Sequence, residues 1–401
     1  MKTKIYILLA LLLSLNSFAQ KFEELAQTPP MGWNTWNKFG CEVDEDLIKE
    51  AADAMVSSGM KDAGYEYIVI DDCWHGERDE DGFISANKER FPSGMKALVD
   101  YVHAKGLKFG IYSDAGGTTC AGRPGSRGYE YQDALTYSRW GVDYLKYDWC
   151  DTDGLNAEGA YTTMRNALYE AERPIVLSIC EWGQNEPWEW AQDIGHLWRT
   201  TGDIYNCWDC EEDHGDWSSW GVLQILDMQE GIRKYAGPGH WNDPDMMEVG
   251  NGMSTSEDRA HFSMWAMLAA PLMAGNDLNS MSKKTIEILT NKEMIAINQD
   301  SLGVQAFKYQ AEDGLEIWVK PLANGDWAIT FLNRSDNEKT LNFDWKKHLI
   351  EDPDFDYTLN FQQEEFQVND IWANKNLKST RKELKTIVHP HDVLSLRLSK
   401  K

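Results

Sequence analysis

Residues 131–148, Tyr131-Gln132-Asp133-Ala134-Leu135-Thr136-Tyr137-Ser138-Arg139-Trp140-Gly141-Val142-Asp143-Tyr144-Leu145-Lys146-Tyr147-Asp148, hold one complete copy of the unit from which most of the chain is built. Tyr131 to Trp140 has helical spacing, Gly141 closes it because glycine enters the left-handed region without a steric penalty, and Val142 to Tyr147 reads as a buried strand. The same unit recurs on both sides. Leu47, Ile48, Ala51, Ala52, Met55 and Val56 form a helical stripe stopped by Gly59, and Tyr67 to Ile70 follows as a strand. Met95 to Lys105, Gly106 and Leu107 to Tyr112 repeat the pattern. Further strands are expected at Met31 to Trp36, Ile175 to Ile179, Leu197 to Thr201, near His240 to Asn242 and at Ala270 to Ala274. Helix, glycine, buried strand is the punctuation of an α/β fold. The span from Met31 to Val304 is close to the roughly 250 residues of a (β/α)8 TIM barrel. A doubly wound open sheet is the competitor, but no G-x-G-x-x-G follows the first strand.

From Gln305 the character changes. Leu315 to Val319 and Trp327 to Leu332 are β-branched and aromatic runs separated by Asn324-Gly325-Asp326, a hairpin signal, and a last strand is expected near Val393 to Leu398. The expected organisation is a signal segment over 1–19, a catalytic barrel over 20–304 and a C-terminal antiparallel β-sandwich domain over 305–401. No low-complexity linker separates the halves, so they should pack tightly.

The signal reading rests on Lys2 and Lys4, the apolar run Ile5 to Leu13, and small residues at Ser17 and Ala19. It implies export, periplasmic or secreted, after cleavage near Ala19. No later run approaches a membrane span. Lys+Arg 39 against Asp+Glu 65 gives a net charge of −26, which repels phosphate backbones and argues against nucleic acid as a partner. The 18 Trp and 16 Tyr offer flat apolar faces with a polar handle, suited equally to sugars and to core packing. Export permits disulfides among the 7 Cys, and the odd number leaves at least one thiol unpaired. Cys207-x-x-Cys210 lacks a second pair at zinc-site spacing. Asn333-Arg334-Ser335 matches a glycosylation sequon.

In a barrel of this kind the chemistry lies at the carboxyl ends of the strands. Those ends read Asp71-Asp72-Cys73-Trp74, Tyr112-Ser113-Asp114, Lys146-Tyr147-Asp148, Cys180-Glu181-Trp182, Arg199-Thr200-Thr201-Gly202-Asp203 and Trp241-Asn242-Asp243-Pro244-Asp245. A single acid there is an ordinary helix cap. Acids at end after end, interleaved with Trp, suit a neutral hydroxyl-rich ligand. Metal-assisted hydrolysis would need clustered His, and only His240-x-x-Asp243-x-Asp245 has such spacing, so neither metal nor cofactor is expected. Glycoside hydrolysis needs just two carboxyls flanking one bond. Lys146, two residues before Asp148, shares its side of the strand and favours an ionised carboxylate, unless it serves a purely structural salt bridge.

The motifs Met31 to Trp36, Asp71 to Trp74, Gly110 to Asp114, Thr119 to Ser126, Tyr144 to Cys150, Gly237 to Met246, and Ile295 to Asp300 with Leu302-Gly303, taken in order and spacing, resemble the α-galactosidases of glycoside hydrolase family 27. The resemblance runs from about Met31 to Val304. It implies a retaining α-galactosidase with Asp148 as nucleophile and Asp203 as acid/base, their carboxyls about 5–5.5 Å apart. It implies Asp71 and Asp72 at the 4- and 6-hydroxyls, Lys146 at the 3- and 4-hydroxyls, and Glu181 and Arg199 around the 2-hydroxyl. Trp36, Tyr112, Trp182 and Asp245 would line the pocket. It also implies disulfides Cys41–Cys73 and Cys120–Cys150 and a free Cys180, with the pairing of Cys207 and Cys210 open. Cys180-Glu181-Trp182-Gly183 resembles galactose-specific members more than α-N-acetylgalactosaminidases. Asp71-Asp72 is retained where β-L-arabinopyranosidases depart from it. The implied partner is an oligo- or polysaccharide bearing terminal α-galactose; a non-catalytic sugar-binding protein is the rival that loss of either central acid would have suggested.

Overall fold

The computed structural model describes residues 21–400; the stretch read as a signal segment lies outside them. Eight strands form one curled parallel sheet: β1 (Met31–Asn34), β2 (Tyr67–Val69), β3 (Lys108–Asp114), β4 (Tyr144–Asp148), β5 (Val176–Cys180), β6 (Leu197–Arg199), β7 (Trp241–Asp243) and β8 (Leu272–Ala274). Their spatial order is β7-β6-β5-β4-β3-β2-β1-β8. The barrel closes not through a β7–β8 ladder but through the chain just after β7: Met247 N–H donates to Met273 C=O at 2.7 Å and Gly275 N–H to Met247 C=O at 3.0 Å. The eight strands expected from sequence are the eight observed, with ends shifted by a residue or two.

Strand alternation divides the core. Ile68, Ile111, Leu145, Leu177 and Ile179 face the surrounding helices, while Tyr67, Val69, Tyr144, Val176, Leu197, Trp241 and Met273 fill the barrel interior. The helices start and stop where the sequence marks them. In α1 (Glu45–Ser57), the Asp44 carboxylate accepts from Leu47 N–H at 2.8 Å. Following α2 (Met95–Ala104), α3 (Glu130–Trp140) ends on Gly141 at φ 90°, and the chain turns directly into β4.

The C-terminal part is antiparallel. A six-stranded sheet runs in the order Phe307–Glu312, Leu315–Pro321, Trp327–Asn333, Asp392–Lys400, Phe366–Asp370 and Lys375–Ser379, and two shorter strand pairs accompany it. A second core, with Phe331, Phe343, Trp345, Phe361 and Phe366, lies in this part. The Leu315–Pro321/Trp327–Asn333 hairpin forms as expected, although its connection, Leu322–Asp326, is longer than a two-residue turn. The sequon is no acceptor in the folded chain: Asn333 is buried and its Nδ2 donates to the carbonyls of Asn337, Val388 and His389.

Barrel and β-domain are held by buried polar contacts as well as apolar ones. Lys320 Nζ donates to Ile297 C=O at 2.7 Å and Ala266 C=O at 3.2 Å, in the last turns of α4 (Thr255–Met267) and α5 (Lys292–Asn298), where helix dipoles favour a cation. Burial, opposed by Asp300, lowers its pKa to about 7. Arg233 reaches from the barrel to Asp352, with Nη1 and Nη2 at 2.6 and 2.9 Å from the two carboxylate oxygens, both side chains almost fully enclosed. Removing one partner of a buried pair strands the other charge. Arg233→Met is therefore expected to cost about 3 kcal/mol in denaturant unfolding, and adding Asp352→Asn to recover part of that loss. An unchanged midpoint for the single variant would show that the pair contributes nothing.

Candidate active site

The carboxyl end of the barrel collects Asp71, Asp72, Asp114, Asp148, Asp243 and Asp245, all buried, with Lys146 and Arg199 as the cations among them. Asp114 and Asp148 are register partners at the ends of β3 and β4. Asp148 sits with Oδ2 accepting from Tyr112 Oη at 2.8 Å and Oδ1 from its neighbour Trp149 N–H at 3.0 Å. Burial raises its pKa to about 6; Lys146 and the Tyr112 hydrogen bond pull it down, and the nearby charge of Asp203 pushes it up. Asp114 is pushed further, to about 8, by burial and by Asp148.

Lys146 Nζ does not pair with Asp148 itself; its partner is Asp71 Oδ2 at 2.9 Å, which also accepts from Asn34 Nδ2 at 2.7 Å. Burial alone would push the ammonium down, but the charges of Asp71, Asp148 and Asp245 hold it well above its usual value. Asp72 accepts from Thr119 Oγ1 and Ala121 N–H, each at 3.0 Å, and from Cys73 N–H at 2.6 Å. Those donors flank two disulfides, Cys41–Cys73 and Cys120–Cys150, so the cross-links fix the loops that hold Asp72. Cys207 pairs with Cys210, and Cys180 is a buried free thiol. Asp114 lies beside Cys120 and Cys150, whose sulfurs are bonded to each other and offer no thiolate to a metal.

On the opposite wall Arg199 Nη2 bridges Asp203 Oδ1 at 3.0 Å and Asp245 Oδ2 at 2.9 Å. Asp203 stands at the rim, its side chain 35% exposed, whereas the Asp245 side chain is 4% exposed. Asp245 adopts φ 86°, a costly conformation for a residue with a Cβ. Its own contacts over-determine it: it accepts from Ile204 N–H at 2.9 Å, donates to Asp243 Oδ1 at 3.0 Å, and receives Trp265 Nε1 on its carbonyl at 2.8 Å. A small cavity over Lys146, Cys180, Arg199, Asp243 and Asp245 forms the floor. A larger groove of about 580 Å³ begins at Asp203 and Trp36.

Glu181 and Trp182 lie in the loop after β5, where Glu181 finds its hydrogen-bond donors within the loop itself. The Glu181 carboxylate is fully buried and takes Asn185 N–H and Nδ2 on Oε2 at 2.6 and 2.7 Å, with burial raising its pKa to about 7. Trp182 follows at φ 57° and packs against the core between barrel and helices.

Residues 28–300 match the family model described as alpha galactosidase A, and residues 312–398 the alpha galactosidase C-terminal beta sandwich domain. The chain belongs to the melibiase family, glycoside hydrolase family 27. Among its relatives, α-galactosidase A of Cellvibrio japonicus is 64% identical over 390 residues, 97% of this chain and 96% of that protein. The crystal structure of α-galactosidase I from Mortierella vinacea superposes with a TM-score of 0.88 at 37% identity, covering 95% of this chain and 99% of that one. The Saccharomyces cerevisiae α-galactosidase solved with raffinose gives 0.85 at 30% identity, covering 94% and 99%.

Within this melibiase-family site, the side chains given no role from the sequence are Asn34 and Thr119, while Cys180, expected only as a free thiol, lines the floor. Asn34 had a readable signal, a polar residue ending an otherwise apolar strand. Thr119 acts across 47 residues of chain on Asp72, and nothing local marks it. What the arrangement offers chemically is a buried carboxylate held by fixed donors, Asp148, and a rim carboxylate in reach of water, Asp203, whose charges act on one another.

Proposed function

We propose that this melibiase-family chain is an exo-acting retaining α-galactosidase in which Asp148 is the nucleophile and Asp203 the acid/base. The observation that carries the reading is the unequal pair: Asp148 buried and clamped by Tyr112, Asp203 half-buried at the rim and held by Arg199. Asp148 attacks the anomeric carbon as the bond to the leaving oxygen breaks, and Asp203 gives that oxygen its proton. Water then attacks the galactosyl ester, Asp203 takes up its proton, and Asp148 leaves as carboxylate. Asp71, Asp72 and Lys146 are proposed to hold the 3-, 4- and 6-hydroxyls. Each carboxylate accepts from three donors already, leaving about one of its roughly four acceptor positions for a sugar hydroxyl. Arg199 and Glu181 are assigned to the 2-hydroxyl side, and Trp36, Tyr112, Trp182 and Asp245 to the pocket walls. Residues 20–304 would form the catalytic unit and 305–401 the accessory one. Three disulfides suit an oxidising compartment, and no helix among the described residues is long and apolar enough to cross a membrane; export after cleavage near Ala19 completes the proposal.

The test is the first-formed anomer. Proton NMR of early hydrolysis of an α-galactoside should show α-galactose before mutarotation; β-galactose would overturn the retaining assignment. Absence of turnover on α-galactoside, α-N-acetylgalactosaminide and β-L-arabinopyranoside by folded protein would remove the enzymatic reading altogether.

A pH prediction follows from the charges. With Asp148 at about 6, kcat/KM should fall as pH drops through that value, since the protonated acid is no nucleophile. Lys146 stabilises the ionised form, so Lys146→Met should move the acidic limb to higher pH, in addition to weakening sugar binding. A limb that stays put or moves down would show that Lys146 acts only through Asp71.

A further inference from the structure

The groove beyond Asp203 is built differently from the floor. Its lining includes Trp36, Asp203, Tyr205, His214 and Trp217 but neither Asp148 nor Lys146. At about 580 Å³ it falls within the usual range of small-molecule sites, roughly 300–1,000 Å³. Trp217 is 53% exposed, the most exposed large hydrophobic side chain among the described residues, and Tyr205, at 41%, shares the groove. Leaving an indole in water is unfavourable unless something covers it.

This indole is held ready. Trp217 sits in the tip of a hairpin, Glu211–Asp213 with Ser218–Trp220, where His214 N–H donates to Trp217 C=O at 2.9 Å. The His214 ring stacks on the indole, centroids 4.0 Å apart at 25°, and His214 Nε2 meets the buried Ser219 Oγ at 2.9 Å. The hairpin is in turn tied to the acid/base segment. Trp220 N–H donates to Asp203 C=O at 3.0 Å, Tyr205 N–H to Trp220 C=O at 2.8 Å, and a Cβ on Gly202 would meet the Trp220 ring at 2.3 Å. The Cys207–Cys210 bridge fixes the chain between Tyr205 and the hairpin.

We infer that this groove is a subsite for the leaving group, with Trp217 as a stacking platform for a neutral sugar unit beyond the scissile bond. The inference rests on the proposed role of Asp203: the group that protonates the departing oxygen lies beside whatever carries that oxygen, so the groove that shares Asp203 and excludes Asp148 receives the aglycone. A neutral occupant suits the wall, which sets Lys38 against Asp203 and Glu248 and adds the amides of Asn37, Asn206 and Asn251, hydrogen-bonding groups matched to hydroxyls. A preorganised aromatic face binds sugar without an ordering cost at the moment of binding. The chain is thereby tuned to galactosyl oligosaccharides over galactosides of simple alcohols.

The test compares methyl α-galactoside, melibiose and raffinose, whose leaving groups are methanol, one hexose and a disaccharide. Trp217→Ala should lower kcat/KM on raffinose roughly tenfold, a typical loss for an aromatic anchor, mainly through KM, and leave methyl α-galactoside within about twofold. Trp217→Phe, which keeps a flat face, should retain most of the raffinose activity. Equal losses on all three substrates, or none on raffinose, would overturn the subsite. If the unaltered protein turned over none of them, the proposed function would fail instead, so the two failures are distinguishable.

Discussion

Asp148→Asn is expected to abolish turnover, by roughly four orders of magnitude or more, as removing a covalent nucleophile does when nothing nearby replaces it. The substitution is close to isosteric, and the site can absorb it. Both Asp148 oxygens accept protein donors, Trp149 N–H and the Tyr112 hydroxyl. An amide oxygen can keep the backbone donor, while the Tyr112 hydroxyl rotates to accept from the new NH2 group. One buried negative charge also disappears, and it is a charge that raises the pKa of Asp114. The variant should therefore unfold no more easily than the parent and should bind galactose, measured by calorimetry, with little change. Asp148→Gly gives a second, independent readout. Azide entering the vacated space should attack the anomeric carbon from the nucleophile's side and yield β-galactosyl azide, with the leaving oxygen taking its proton from Asp203. Measurable hydrolysis by pure Asp148→Asn protein, or rescue that yields the α-azide, would remove Asp148 from the nucleophile's role.

That the acids at the strand ends are legible in the sequence has a physical basis. Barrel strands buried on both faces read as unbroken apolar runs, so the acids that end them, Asp71, Asp114 and Asp148, stand out without any knowledge of what they face. Glycines after helices, such as Gly141, mark the boundaries because their left-handed conformation is expensive for other residues. Partnership across the barrel is another matter. Lys146 lies on the same side of β4 as Asp148, yet its hydrogen bond goes to Asp71, 75 residues away, because the curled sheet brings the end of β2, on the far side of β3, to within 2.9 Å of the ammonium. Thr119 and Ala121 reach Asp72 through loops whose course the two disulfides set. Glu181 turns to Asn185, four residues on, a local capture that burial rewards and strand spacing does not reveal. The Trp217 hairpin was equally hidden: Glu211 to Asp213 are exposed acids with no strand-like pattern, and their pairing follows from the turn at Gly215, φ 97°, and from the ladder to Ser218–Trp220. Periodicity thus reports burial, while site geometry depends on long-range pairing.

Asp203→Asn should separate substrates by how much help their leaving groups need. The fold should tolerate it, since Arg199 keeps its 2.9 Å contact with Asp245 and the amide oxygen can still accept from the guanidinium. Raffinose must expel a sugar alkoxide, which needs protonation as the bond breaks; general acid catalysis is worth roughly 10²–10⁴ in rate, and kcat/KM should fall by about that factor. A dinitrophenyl galactoside leaves as a stable anion, so its first step should be nearly unaffected. Its second step still suffers, because water must surrender a proton to residue 203. Galactosyl-enzyme should accumulate, seen as a rapid burst of phenolate followed by slow steady turnover and as a mass increase of one galactosyl unit on Asp148. Azide, which needs no base, should speed the slow phase and leave methyl α-galactoside hydrolysis as slow as before. Equal loss on both substrates, with no burst, would place Asp203 outside proton transfer and leave it as a partner of Arg199 alone.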